Sequence, residues 1–438
     1  MHDLYTWLFR LALPLMLFYL WWRGRSDIAY RERWRERFGS VISPQDPQEG
    51  AHDATTRIWI HSASVGETLA TIPLIKTLAA RHPQWQWLVT TTTPTGSQRV
   101  HEALGPILNE RLLHYYIPFD LPEFLSPFIE DLRPSILIIM ETELWPNLLA
   151  VCHKCKIPTI LVNGRLSAKS ARGYARFSGL SRKMLGHITR VLTQYPTDAE
   201  RFVDLGMPIE RIKAVGSIKF DLHINADMIS DAEALSHQWR GESHRQVLLA
   251  ASTHGGEDEL LLDAYDILRK DFPDLLLVLV PRHPVRADSI ARLCRGRGLN
   301  TVRRSDGIAP NIDDQVLLGD TLGELLCFYG ACDVAFVGGS LVPVGGHNMI
   351  EPAAWGIPVV CGPHLHNFST VSSLIQESGG LVVAETPQQL ADKVAAWLNN
   401  KEQRVAAGDN AQQVASRNSG ALGRTVTEIE ELMCAKLS

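Results

Sequence analysis

The stretch that decides the architecture is Val334–Ala354, VAFVGGSLVPVGGHNMIEPAA in one-letter code. Val334–Val337 reads as a short buried strand, a run containing four glycines follows, and a helix starts after it. Glycine loses more conformational freedom on folding than any other residue, so four in one connector suit a backbone that must approach something closely. A phosphate at a strand-to-helix turn is such a partner, drawn by bare amide N–H groups and a helix N-terminus. Gly338, Gly339, Gly345 and Gly346 are therefore candidates for close backbone approach to a phosphate. Glu351, about one turn into the helix, is placed to accept hydrogen bonds from ribose hydroxyls.

Outward from this stretch the same unit recurs. Ile58–His61, Trp87–Thr91, Ile136–Met140, Thr159–Val162 and Val191–Thr193 read as strands, separated by helical stretches such as Leu69–Arg81 and Pro122–Leu132. The pattern restarts after Gly216-Ser217 with the strand Gln246–Ala251, the helix Glu257–Asp271 and the strands Leu275–Val280, Val334–Val337 and Pro358–Val360. Such alternation builds parallel sheets, and 438 residues suffice for two domains of ordinary size. The expectation is an α/β chain of two Rossmann-like, doubly wound domains, 26–215 and 216–438, facing a central cleft. An anchor over 1–25 precedes them, and the last helix is free to pack back on the first domain.

Ligands of doubly wound sheets bind beyond the carboxyl ends of the strands, so the loops there carry the chemistry. In His61–Glu67, Ser64 and Glu67 have the S-x-x-E spacing of a capping box, with Gly66 between them. Glu67 is equally a carboxylate at a strand tip, available as a general base. The two readings pull apart, because a helix N-terminus favours the ionised form and so weakens the base. Glu141 and Glu143 follow the apolar run Ile136–Met140, as site residues or as helpers of the next helix N-terminus. After the next strand, Asn163-Gly164-Arg165 offers Arg165 as a bidentate partner for phosphate or carboxylate, or as a surface ion pair. In the second half, Ser252 and Thr253 open a small-residue turn suited to an anion. Pro281–Arg286 adds Arg282 and Arg286 at the same sheet edge, with His283 structural by default.

Hydrophobic residues make up 45% and charged residues 21%, which is ordinary for a globular chain. A net charge of -5 gives no global positive field, so nucleic acid is not an expected partner. The 7 cysteines are scattered, and Cys152 and Cys155 form a lone C-x-x-C without the second pair of a zinc site. Ordinary thiols in a reducing compartment fit best. No metal-ligand spacing accompanies the glycine-rich stretch, so no metal is expected there.

Leu4–Trp22 is almost wholly apolar and reaches about 28 Å at about 1.5 Å per residue, roughly the hydrocarbon thickness of a bilayer. Arg23, Arg25, Arg31, Arg33, Arg35 and Arg37 follow it, and the positive-inside rule places that flank in the cytoplasm. Two membrane readings compete, beside a third in which the segment is a buried helix of a soluble protein. The helix spans the membrane, or it lies in the inner leaflet because Arg10 is costly at the bilayer centre.

Taken in order, Ser64–Glu67, Glu141–Asn147, Asn163–Ser167, Gly216–Asp221, Ser252–Glu257, Pro281–Arg286, Asp320–Leu325 and Gly338–Ala354 resemble the Kdo (3-deoxy-D-manno-octulosonic acid) transferases of lipopolysaccharide assembly, a GT-B family. The resemblance runs from the apolar N-terminus to about Phe368. It implies an inverting glycosyltransferase that moves one or more Kdo units from CMP-Kdo to lipid IVA, the lipid A precursor, without metal or other cofactor. It also implies a place at the cytoplasmic leaflet of a bacterial inner membrane. Glu67 matches the family's proposed base. Ser252, Thr253, Arg282, His283, Gly339, Ser340, Gly345, Gly346, His347, Asn348 and Glu351 match its donor side. Ser64, Gly66, Glu141, Glu143, Asn163, Arg165 and Lys219 match its acceptor side or stabilise the site. Gly164 stands where alanine is expected. The rivals are a UDP-sugar transferase or nucleotide-sugar 2-epimerase of the same fold, and a tethered scaffold, which has no need of polar loops at every strand end.

Overall fold

A computed structural model describes residues 2–25, 27–41, 56–222, 224–242 and 244–437. The chain forms two compact units, Met1–Asp221 with Gly420–Ser438, and Leu222–Ser419.

The first unit holds β1 (Arg57–His61), β2 (Gln86–Thr91), β3 (Leu112–Tyr116), β4 (Ile136–Met140), β5 (Thr159–Gly164), β6 (Arg190–Thr193) and β7 (Ile212–Ala214). They pair in the order β3-β2-β1-β4-β5-β6-β7, all parallel. β1 and β4 are buried along their whole length, as apolar strands covered on both faces must be. Ile58 and Ile60 turn to a layer that includes Leu74, Ile75 and Leu78 of the helix Val65–Arg81. That layer also takes Val426 and Ile429 of the C-terminal helix Ala421–Leu437. Trp59, one residue out of phase, packs on the opposite layer with Phe128 and Leu148.

In the second unit, β8 (Val247–Thr253), β9 (Leu276–Pro281), β10 (Thr301–Arg303), β11 (Val316–Leu318), β12 (Val334–Val337), β13 (Val359–Cys361) and β14 (Leu381–Val383) pair as β10-β11-β9-β8-β12-β13-β14, again all parallel. Each sheet changes its winding direction once, between β1 and β4 and between β8 and β12. Those switch points are where open α/β sheets take ligands.

The hand-over between units falls at Asp221/Leu222 rather than 215/216. Ile218 and Phe220 are buried, and the Ile218 amide donates to Asn163 Oδ1 at 3.2 Å. Asp221 then accepts the amides of Gly420 and Leu422, which brings the C-terminal helix into the first unit.

The N-terminal helix His2–Arg23 exposes Leu4, Trp7, Leu8, Leu11, Leu15, Phe18 and Trp22, a stripe at helical spacing. Its first three turns are fastened to the first unit. Tyr5 donates to Asp120 at 2.8 Å, Thr6 to Asn147 Oδ1 at 2.9 Å, and Arg10 pairs with Glu123 at 2.8 Å. The chain after the helix is fastened to the same unit: Arg33 donates to the His114 carbonyl at 2.7 Å, and Arg37 to the Thr92 carbonyl at 2.9 Å.

Candidate active site

In the first unit, Ser62–Ser64 leaves β1 and the helix Val65–Arg81 begins, four residues before the expected Leu69, because Ser64 caps it. The Ser64 hydroxyl accepts the Glu67 amide at 3.2 Å and donates to Glu67 Oε1 at 2.8 Å. Glu67 Oε2 accepts the Ala63 amide at 2.7 Å. The carboxylate therefore does cap the helix. It is also buried, at 8% exposure, and burial is the stronger influence. Desolvation raises its pKa to about 7 against the two hydrogen bonds, with Glu143 and Glu141 adding to the rise. Burial thus opposes, and outweighs, the pull of the helix N-terminus toward the charged form.

Around it, Glu141 ends β4 with φ 56, a left-handed conformation that costs a non-glycine residue and clusters at functional sites. Its carboxylate pairs with Lys219 at 2.7 Å. Glu143 accepts the Trp145 indole N–H at 3.0 Å, and the Trp145 ring lies edge-on to His61 at 5.4 Å. His61 is fully buried and lowered to about 4 by desolvation. Its Nε2 has no partner among the described residues. Asn163, also left-handed with φ 56, ties β5 to Ile218 and, through its carbonyl, to Gln194 at 3.0 Å. The Arg165 carbonyl accepts the Thr142 hydroxyl, joining two of the predicted loops. At Gly66 a side chain would meet only Ser64 Oγ, at 3.9 Å, so the fold leaves this helix start bare. Alanine at Gly164 would sit 3.3 Å from the Leu192 carbonyl.

In the second unit, Ser252 (φ 56) bulges β8, and Gly338 lies against it so closely that a Cβ would stand 2.5 Å from the Ser252 carbonyl. The Thr253 hydroxyl donates to Asp258 at 2.7 Å, and Arg286 pairs with the same carboxylate, which uses Arg286 inside the fold. His254 and His347 stack with their Nε2 atoms 2.8 Å apart, so one ring donates and the other accepts. His283 stands edge-on to His254 at 6.1 Å. Desolvation lowers His347 to about 4, and the positive charge of Arg282 lowers it further. Burial raises the Glu351 carboxyl, which accepts from Asn348 Nδ2 at 3.0 Å and feels Arg282. Arg282, His254, His283, His347, Asn348 and Glu351 thus form one cluster.

The glycine-rich loop itself differs from expectation. Glu257, at 0% exposure, accepts the amides of Gly339 (2.7 Å), Ser340 and Leu341 (both 2.9 Å) and His254 (2.9 Å). A carboxylate of the protein occupies the nest read as a phosphate cradle. The amides of Gly345 and Gly346 turn inward to the Gly339 carbonyl at 3.0 and 2.7 Å. The Ser340 hydroxyl is used between Val337 and Gly362. Gly339, Ser340, Gly345 and Gly346 therefore shape the loop rather than present amides to a ligand. The helix begins only at Ile350. Among the described residues, no acceptor is seen for the amides of His347, Asn348 and Met349 ahead of it. Sequence reasoning missed His61, His254 and Glu257. Glu257 opens the helix Glu257–Leu268 like any N-terminal acid, and nothing local signals its reach of 82 residues to Gly339.

Residues 32–222 match the model of the 3-deoxy-D-manno-octulosonic-acid transferase family, and 258–414 that of the group 1 glycosyl transferases. A 3-deoxy-D-manno-octulosonic acid transferase of Haemophilus influenzae is 39% identical over 96% of both chains. One of Bordetella pertussis is 33% identical over 98% of this chain and 99% of its own. Among solved structures, a glycosyltransferase of Rickettsia africae superposes with a TM-score of 0.57 over 88% of this chain and 99% of its own, at 14% identity, a likeness of fold. Similar to Kdo transferases over almost its whole length, the chain belongs to the 3-deoxy-D-manno-octulosonic acid transferase family, glycosyltransferases of lipopolysaccharide synthesis.

Proposed function

We propose that the chain transfers Kdo from CMP-Kdo to lipid IVA by an inverting displacement at the cytoplasmic leaflet. The observation that carries the reading is Glu67: buried, oriented by Ser64 and Ala63, and with a pKa of about 7, near the optimum for a general base at neutral pH. Glu67 takes the proton of the attacking acceptor hydroxyl, the oxygen bonds to the anomeric carbon, and the C–O bond to the CMP phosphate breaks. General-base help of this kind is worth about 10²–10⁴-fold. The phosphate charge that develops is met by Arg282 and the amides ahead of Ile350, and Glu351 accepts from the ribose. Lys219 is paired with Glu141, which limits the negative charge beside the base. No step in this scheme uses a metal, and chelator-treated protein should keep its activity.

The helix His2–Arg23 lies in the plane of the leaflet in this reading. Its early turns and the chain just beyond it both hold to the same unit, which a helix crossing the bilayer does not permit. Its exposed apolar stripe supports interfacial burial. The test is product analysis after incubation with lipid IVA and CMP-Kdo generated in situ. The expected product carries one or more added Kdo residues, with anomeric configuration opposite to the donor's. Retained configuration, or no product from folded protein that binds CMP, contradicts the reading.

A further inference from the structure

We propose that the groove between the N-terminal helix and the first unit seats one fatty acyl chain of the acceptor glycolipid. Its cavity is about 560 Å³, within the roughly 300–1,000 Å³ of ligand sites. One wall is Phe9, Ala12 and Met16 of the helix, and the other is Ile117, Phe119 and Trp145. Lining positions on the helix run from Tyr5 to Leu20, about 22 Å of axis at about 1.5 Å per residue. A narrow apolar lining of that length suits one extended hydrocarbon chain.

Two contacts connect the groove to the chemistry. Trp145 donates to Glu143 and lies against His61. Thr92, also in the lining, donates to the carbonyl of Ala63 at 2.5 Å, and the amide of Ala63 holds Glu67. A chain seated here therefore delivers its sugar headgroup to the candidate base. The exposed stripe from Leu4 to Trp22 shares Leu15 with the lining, and Met16 and Tyr19 of the lining are exposed too, so the groove opens where the leaflet is. Arg37 supplies the polar end. It is buried, donates to Thr92, lies over the Tyr116 ring, and has an Nε without a partner among the described residues.

This inference rests on the reading of the acceptor as an acylated sugar lipid, and the test separates the two. The probe is lipid IVA carrying a diazirine in one acyl chain, used with the full chain in phospholipid vesicles. Kdo transfer and crosslink positions are read from the same sample. The expected result is transfer, with crosslinks at Met16, Ile117 or Phe119 that excess unlabelled lipid IVA removes. Ala12→Trp, which fills the groove, should abolish those crosslinks and raise KM for lipid IVA by at least about tenfold, the factor for losing about two buried methylenes, with a smaller change in kcat. Vesicle flotation and a melting curve establish that the variant is folded and bound. Crosslinks elsewhere in active protein, or groove crosslinks that excess phospholipid removes and lipid IVA does not, overturn the acyl seat while the acceptor stands. Absence of Kdo transfer to the probe and to unmodified lipid IVA alike overturns the acceptor reading itself.

Discussion

Glu67 shows how one side chain serves as a cap and as a titrating group. The hydrogen bonds from Ser64 and Ala63 favour its charged form, yet desolvation outweighs them and the pKa rises from 4.5 to about 7. A carboxyl whose pKa rises on folding binds protons more tightly in the folded state. It therefore stabilises the protein fully below the unfolded pKa, and that stability is lost as pH rises from 4.5 through about 7. The loss is on the order of 3 kcal/mol. Glu67→Gln keeps an acceptor for Ala63 and removes the charge, so it should gain on the wild type between about pH 5 and about pH 8. Melting temperatures of both proteins at the two pH values check this, and parallel curves would mean the carboxyl is unperturbed.

At the level of elements, the loop after β12 is held by a carboxylate rather than waiting for a phosphate. Glu257 satisfies four amide donors with two oxygens. Glu257→Gln turns a donor toward donors and leaves buried N–H groups unpaired, at about 1–3 kcal/mol each. The variant should melt earlier and bind CMP more weakly by calorimetry, because His347 and Asn348 lie in the loop that loses its brace. Unchanged melting and CMP affinity would remove Glu257 from that role. The N-terminal helix makes a second element-scale prediction. With both flanks fastened to one unit, a cysteine placed at Leu4 stays hidden from an impermeant thiol reagent applied to intact spheroplasts. Labelling from outside would mean the helix crosses the bilayer.

Over the whole molecule, two parallel sheets each present a switch point, and both gather polar loops. That much was legible, because central strands such as Ile136–Met140 and Val334–Val337 are buried on both faces and read as unbroken apolar runs. The edge strands β3, β7, β10 and β14 were not read, nor was short β11. β10 is three partly exposed residues ending in Arg303, and such segments carry no periodic signal. Candidate loops were found by position, since loops after parallel strands converge whatever their sequence. Which atoms face a ligand was not legible at the glycine-rich loop, where Glu257 arrives from 82 residues away. Nor was the rise of the Glu67 pKa, since the S-x-x-E spacing announces the hydrogen bonds but not the burial that outweighs them.

The most direct test of Glu67 as the base is kcat/KM for Kdo transfer from CMP-Kdo to lipid IVA, from about pH 5 to about pH 9, for the wild type and Glu67→Gln. The wild-type rate should fall as pH drops below a pKa near 7. In the variant that limb is gone, and the rate is lower by about 10²–10⁴-fold while CMP binding persists. A variant with wild-type rate and the same acid limb would leave Glu67 as a helix cap and place the base elsewhere.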